Sequence, residues 1–197
     1  MIDSIPVLEE LPGIRFSTEV VDLSSGNPVI LSGNGVFPIG VPEVFYLACA
    51  VDMMLEDNLA SGTLPEIETV SLWLAEAGMD DTHLFETGNV GSPEAIPSST
   101  AENVARALRI VHSGMDIPGV VEIIANPDMG EGQASFIEES CDLYGWVDSG
   151  ANHKTFVLIA VLPDGRELGF ILLSDDLCCE EKGDLAMRLL WQTAQQY

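Results

Sequence analysis

The sequence predicts an α+β fold, a single domain over residues 1–197 in which an antiparallel sheet, drawn mostly from the second half, packs with about four helices. Three observations carry that prediction. The first half holds apolar residues at helical spacing behind recognisable start signals, the second half reads mainly as strand, and Pro163-Asp164-Gly165 marks a tight turn between two of the strands.

The first element is expected at Ile14 to Val21, where Ile14, Phe16, Thr18 and Val20 alternate with Arg15, Ser17 and Glu19, the two-residue period of a half-buried strand. A short strand over Pro28 to Leu31 follows. The stretch from Ser32 to Gly40, rich in Gly and Asn, then breaks the pattern ahead of Pro42, which suits the first turn of a helix. Val44, Leu47, Ala48, Val51, Leu55 and Leu59 recur at helical spacing up to Gly62. Thr63-Leu64-Pro65-Glu66 has the form of a capping box and precedes a second helix through Ile67, Val70, Trp73, Leu74 and Ala77 to Gly78. A second box, Ser99-Thr100-Ala101-Glu102, opens a third helix through Val104, Ala105, Leu108 and Val111 to Gly114. Between these helices Met79 to Ser98 shows little periodicity and carries Asp80 and Asp81, the mark of a candidate binding loop.

Strands are expected at Val120 to Ala125, Ala134 to Asp148, Thr155 to Leu162 and Glu167 to Ser174. In the Pro163-Asp164-Gly165 turn, Pro fixes φ and Gly accepts a positive φ, so the last two strands form a hairpin. Their runs are apolar on both faces, which places them centrally in a sheet covered by helices. A last helix, about Glu181 to Gln196, is expected to turn Leu185, Leu189 and Leu190 inward.

With 32 acidic residues against 7 Lys and Arg, the formal charge is −25. Lys154, Lys182, Arg15, Arg106, Arg109, Arg166 and Arg188 are scattered along the chain, which excludes a direct nucleic-acid binder and disfavours an anionic membrane surface. Apolar residues at 47% exclude a disordered acidic tail. No basic and apolar leader opens the sequence and no 18-residue apolar run occurs in it, so a cytoplasmic location is expected, with Cys49, Cys141, Cys178 and Cys179 as reduced thiols.

Catalytic motifs were sought and none was found. His83, His112 and His153 are isolated and no Cys-x-x-Cys occurs, so no metal site is expected. The Asn126 to Gly132 turn has the composition of a calcium loop, but its glycine falls at the wrong position and Ile137 stands where the bidentate Glu belongs. There is no Gly-x-Ser-x-Gly elbow, no P-loop and no complete dinucleotide loop. Cys178-Cys179 lies among Asp175, Asp176, Glu180 and Glu181, whose charge raises a thiol pKa rather than activating it. Neither a catalytic residue nor a cofactor is assigned.

One constellation stands out. On a strand from Ile137 to Asp148, one face carries Ile137, Cys141, Leu143 and Val147, and the other carries Glu138, Ser140, Asp142, Tyr144, Trp146 and Asp148. Large aromatics flanked by acids have the makings of an interface anchor, with the alternative that Trp146 packs beneath a helix or under the 79–98 loop. Glu138, Asp142, Tyr144, Trp146, Asp148, Asp80 and Asp81 are therefore the candidate partner-binding residues. The functional expectation is a non-catalytic acidic protein that occludes a basic partner, a toxin, nuclease or DNA-binding protein, in the manner of an immunity protein or a DNA mimic. The alternative is a small cytoplasmic hydrolase using carboxylates or a metal.

Overall fold

The computed structural model describes residues 15–56, 63–84, 97–125, 141–149, 153–175 and 180–196. Its main sheet has five antiparallel strands in the spatial order β2-β1-β7-β6-β5. These are β1 (Arg15–Asp22), β2 (Pro28–Ser32), β5 (Asp142–Ser149), β6 (His153–Val161) and β7 (Glu167–Asp175). A second, two-stranded sheet pairs β3 (Phe37–Pro38) with β4 (Ser98–Ser99). The helices are α1 (Glu43–Leu55), α2 (Ile67–Glu76), α3 (Ala101–Ser113), α4 (Val120–Ile124) and α5 (Glu180–Ala194).

The predicted hairpin is present. Gly165 has φ +84°, the Leu162 N–H donates to the Arg166 carbonyl, and β6 pairs with β7 from Val161↔Glu167 to His153↔Asp175. β7 then pairs along its whole length with β1, so the sheet is closed by a contact between residues some 150 positions apart. Because the central strands are apolar on both sides, each face of the sheet carries a core. Phe156, Leu158 and Ala160 of β6 and Phe170 and Leu172 of β7 pack with Met187, Leu190 and Trp191 of α5. Val157, Ile159, Ile171 and Leu173 face the other way, against Val44, Leu47 and Val51 of α1 and Val104, Leu108 and Val111 of α3.

Several local expectations are corrected. Val120–Ile124 is a short helix rather than a strand; a short apolar run has no periodicity that separates the two. The Thr63 capping box does not form, since α2 begins after Glu66 and no side chain caps it. For α3 the cap lies one residue later than expected: Thr100 Oγ1 accepts from the Asn103 N–H at 3.2 Å. On α5, Leu185 is exposed, and Ala186, Met187, Leu190, Trp191 and Ala194 form the buried stripe. Leu59 and Gly62, most of the 79–98 loop and the first part of the 134–148 strand lie outside the described residues.

β1 is buried on both faces instead of one, because it lies between β2 and β7 beneath helices on either side. Its polar residues must therefore be accommodated inside. Thr18 donates from Oγ1 to the Ile171 carbonyl at 2.6 Å. Glu19 is 8% exposed, and among the described residues its Oε2 has no hydrogen-bond partner. Burial, then the nearby Glu102 carboxylate, raises its pKa to about 7, against the opposing pull of Arg109 and Arg106.

Trp146 is corrected in the same way. It is 8% exposed and belongs to the same apolar core as the buried residues of α1, α3 and α4, with Tyr144 packed partly against that core. The alternation read from the sequence holds, with Leu143 and Val147 on the α5 side, but the aromatic face is covered by the helical layer. Trp146 is therefore a core residue, not a solvent-facing anchor.

Two predictions follow from these environments. Trp146→Ala should cost roughly 3–5 kcal/mol of folding stability, read as a fall in thermal midpoint of the isolated protein; an unchanged midpoint would contradict the core placement. For Glu19, the folded-state pKa lies above the unfolded one, so its contribution is fully present below about pH 4.5 and is lost as pH rises towards about 7. The loss amounts to roughly 3 kcal/mol. Glu19→Gln should flatten that part of the stability profile and raise the midpoint at pH 8 but not at pH 4.5.

Candidate functional site

Polar groups that join the helical layer to the sheet gather where β3 leads into α1. Phe37 and Pro38 pair with Ser99 and Ser98, and the Ile39 N–H donates to the Pro97 carbonyl at 2.7 Å. The next residue, Gly40, lies against the end of β5 so closely that a Cβ there would collide with the Asp148 carboxyl group. Its N–H donates to Thr155 Oγ1 at 3.2 Å. Asp148 in turn holds His153, with Nε2 to Oδ2 at 2.8 Å. The imidazole is almost enclosed and the carboxylate is part-exposed, with side-chain exposures of 9% and 38%.

This geometry follows from the β5–β6 register, in which Asp148 faces Thr155 and Ser149 faces Lys154. Asp148, Thr155 and His153 alternate onto the face that looks at the helical layer, the same face as Trp146 and Val157. A carboxylate bonded to one imidazole nitrogen orients the ring and leaves the other nitrogen to exchange a proton.

Beside it is a second polar group. Thr82 Oγ1 and Ser99 Oγ are 2.8 Å apart, Asn103 Nδ2 donates to Thr82 Oγ1 at 3.1 Å, and all three residues are buried. His83 and Ser98 exchange backbone hydrogen bonds. These bonds fasten the 82–84 segment to β4 and to the start of α3. The first turn of α1, by contrast, runs Glu43-Val44-Phe45-Tyr46 behind Pro42 and offers no serine, threonine or cysteine. Cys49 lies further along α1, buried, with its thiol pushed up to about 11 by burial and by Asp52. Among the described residues no group of three His, Cys, Asp or Glu is placed to hold a metal.

The candidate residues read from the sequence are thus dispersed. Asp148 is in the junction, bonded to a histidine that sequence reasoning had set aside as isolated. Tyr144 and Trp146 pack in the core behind it, and Asp142 is exposed at the start of β5. Asp80 and Asp81 are exposed just after α2, and Glu138 lies outside the described residues. No sequence signal marked His153 or Gly40, because only strand pairing brings them to Asp148.

No family profile matches the chain and no curated protein resembles it in sequence. Solved structures do share its fold. A mutant of the class A β-lactamase of the last common ancestor of Gram-negative bacteria superposes with TM-score 0.69 at 14% identity, covering 98% of this chain and 97% of the other. The β-lactamase of Sphaerobacter thermophilus gives 0.62 at 17% identity, with 95% and 92% covered. A mutant of PBP-A, solved as its acyl-enzyme complex with penicillin G, gives 0.71 at 10% identity, with 98% and 94% covered. These likenesses overturn the expectation of a non-catalytic, immunity-type or DNA-mimic inhibitor, which rested on net charge and on missing motifs, neither of which reports on fold. Over nearly its whole length the chain has the fold of class A β-lactamases and PBP-A.

Proposed function

We propose that the protein is a hydrolase of β-lactamase-like fold that works without a serine acyl-enzyme, using the Asp148–His153 pair as a general base on water. The observation that carries this reading is the 2.8 Å bond from His153 Nε2 to Asp148 Oδ2, seated on the backbone of Gly40. Class A β-lactamases and penicillin-binding proteins use Ser-x-x-Lys with Ser-Asp-Asn and Lys-Thr-Gly. This sequence contains none of the three: its two lysines, Lys154 and Lys182, follow Ala151 and Cys179 at the required spacing. Acylation through that motif is therefore closed to it, and a substrate carbonyl would be attacked by water whose proton passes to the imidazole while Asp148 stabilises the imidazolium.

The fold comparisons support an enzyme at the level of ancestry, and the dyad supports the choice of mechanism. A cytoplasmic location belongs to the same reading, supported by the buried, unoxidised thiol of Cys49. Among the described residues no helix is long and apolar enough to cross a membrane.

The test is turnover of a chromogenic cephalosporin, penicillin G and p-nitrophenyl acetate, with intact-mass analysis of the protein. Hydrolysis of at least one substrate without a covalent adduct is expected, falling by about 10²-fold or more in His153→Gln and Asp148→Asn with the fold retained. Gly40→Ala should reduce kcat as well, by displacing the Asp148 carboxyl. A stoichiometric penicilloyl adduct, or rates unchanged in His153→Gln, would overturn the mechanism.

A further inference from the structure

The chain carries only seven Lys and Arg against 32 acids. Two of the seven, with one of its three histidines, nevertheless converge on one cavity. Arg106, Arg109 and His112 follow one another at three-residue intervals along α3 and line a hollow of about 520 Å³. Leu23, Met79 and Ile110 supply apolar wall, so the cavity combines a cationic edge with a greasy one. It lies along α3 from Arg106 to Ser113, and Glu167, which His112 bonds, stands at the opposite end of the β6–β7 pairing from His153.

The charges there are only partly neutralised. His112 Nε2 bonds Glu167 Oε2 at 2.9 Å, and Arg106 bonds the Gly78 carbonyl at 3.3 Å with Glu102 at 3.8 Å. Arg109 makes no ion pair within 4 Å among the described residues. Its guanidinium instead lies flat against Gly26, whose φ of +72° and missing side chain leave it room, since a Cβ there would strike Arg109 Cζ and Nη2. The nearest buried acid, Glu19, carries a raised pKa of about 7 and so gives these arginines incomplete compensation near neutral pH. Positive residues in the last turns also favour the helix dipole. That effect needs neither a cavity nor a guanidinium held in place by a glycine.

We infer that this cavity binds a small oxyanion attached to a compact apolar body, with Arg109 and Arg106 meeting the anion and Leu23, Met79 and Ile110 meeting the body. A guanidinium with no carboxylate bonded to it within 4 Å, as at Arg109 among the described residues, presents forked donors to a phosphate or carboxylate head. A site of this kind in so acidic a chain selects its ligand by local geometry, because the surrounding negative field disfavours anions in general.

The test is calorimetric titration of the full chain at about 0.15 M salt, where carboxylates beyond roughly 8 Å are largely screened. The probes are phenyl phosphate, benzoate and inorganic phosphate. One-to-one binding of phenyl phosphate or benzoate is expected, tighter than that of inorganic phosphate, and the preferred aryl ligand identifies the head group. Arg109→Gln should weaken it about tenfold or more, Arg106→Gln should weaken it too, and Arg188→Gln should leave it unchanged, all with unaltered circular dichroism. Absence of aryl-anion binding up to about 10 mM, or undiminished binding in Arg109→Gln, would overturn the proposal. Hydrolytic activity is not part of the readout, so failure here leaves the Asp148–His153 reading untouched, and the converse holds as well.

Discussion

A sheet whose central strands are apolar on both faces has to be covered on both faces, and the rest of the molecule follows from that requirement. β6 and β7 present Phe156, Leu158, Phe170 and Leu172 to one side and Val157, Ile159, Ile171 and Leu173 to the other. Among the described residues α5 covers the first side. The second is covered by α1 and α3, and the chain reaches them only after laying down β1 and β2, so the sheet is completed by bringing its first and last strands together. Burying this much apolar surface twice over offsets the loop-closure entropy of a β1–β7 pairing that is remote in sequence.

The same arrangement decides where chemistry can occur. On β5 and β6 the face that looks at the helical layer carries Asp148, Thr155 and His153 at the end where β5 leads into β6. Asp148 and His153 stand there, with Gly40 supplying a surface without a side chain on which the carboxylate rests. Away from that end, the sheet accepts polar groups only when they are satisfied or neutral. Glu19, on the face of β1 that Val21 shares, is left with an unpartnered oxygen and holds its proton up to about pH 7, while Thr18 on the opposite, α5-side face bonds a main-chain carbonyl.

Net charge proved a poor guide to function for a physical reason. Thirty-two carboxylates determine how the surface interacts at long range, but the fold is determined by which residues are withdrawn from water. The likeness to β-lactamases resides in the order and pairing of strands and helices, which survives at 10–17% identity. A search of the sequence for reactive motifs has nothing to find when Ser-x-x-Lys, Ser-Asp-Asn and Lys-Thr-Gly are absent.

What the sequence determined by itself was local: the Pro163-Asp164-Gly165 hairpin, the presence of helices beginning near Pro42, Glu66 and Thr100, the α+β class, and the alternation that puts Trp146 and Asp148 on one face of β5. Each depends on periodicity or turn chemistry within a few residues. Whether that face met water was a different matter, because burial depends on what lies opposite, and Trp146 joins a core assembled from distant parts of the chain. Tertiary structure likewise decided that Val120–Ile124 is helical, that Glu19 is buried, and that Arg106, Arg109 and His112 share a hollow with Leu23. It also decided that His153 is not isolated. Strand pairing brings it to Asp148, and Gly40 closes on the Asp148 carboxyl group, contacts that no spacing along the chain encodes.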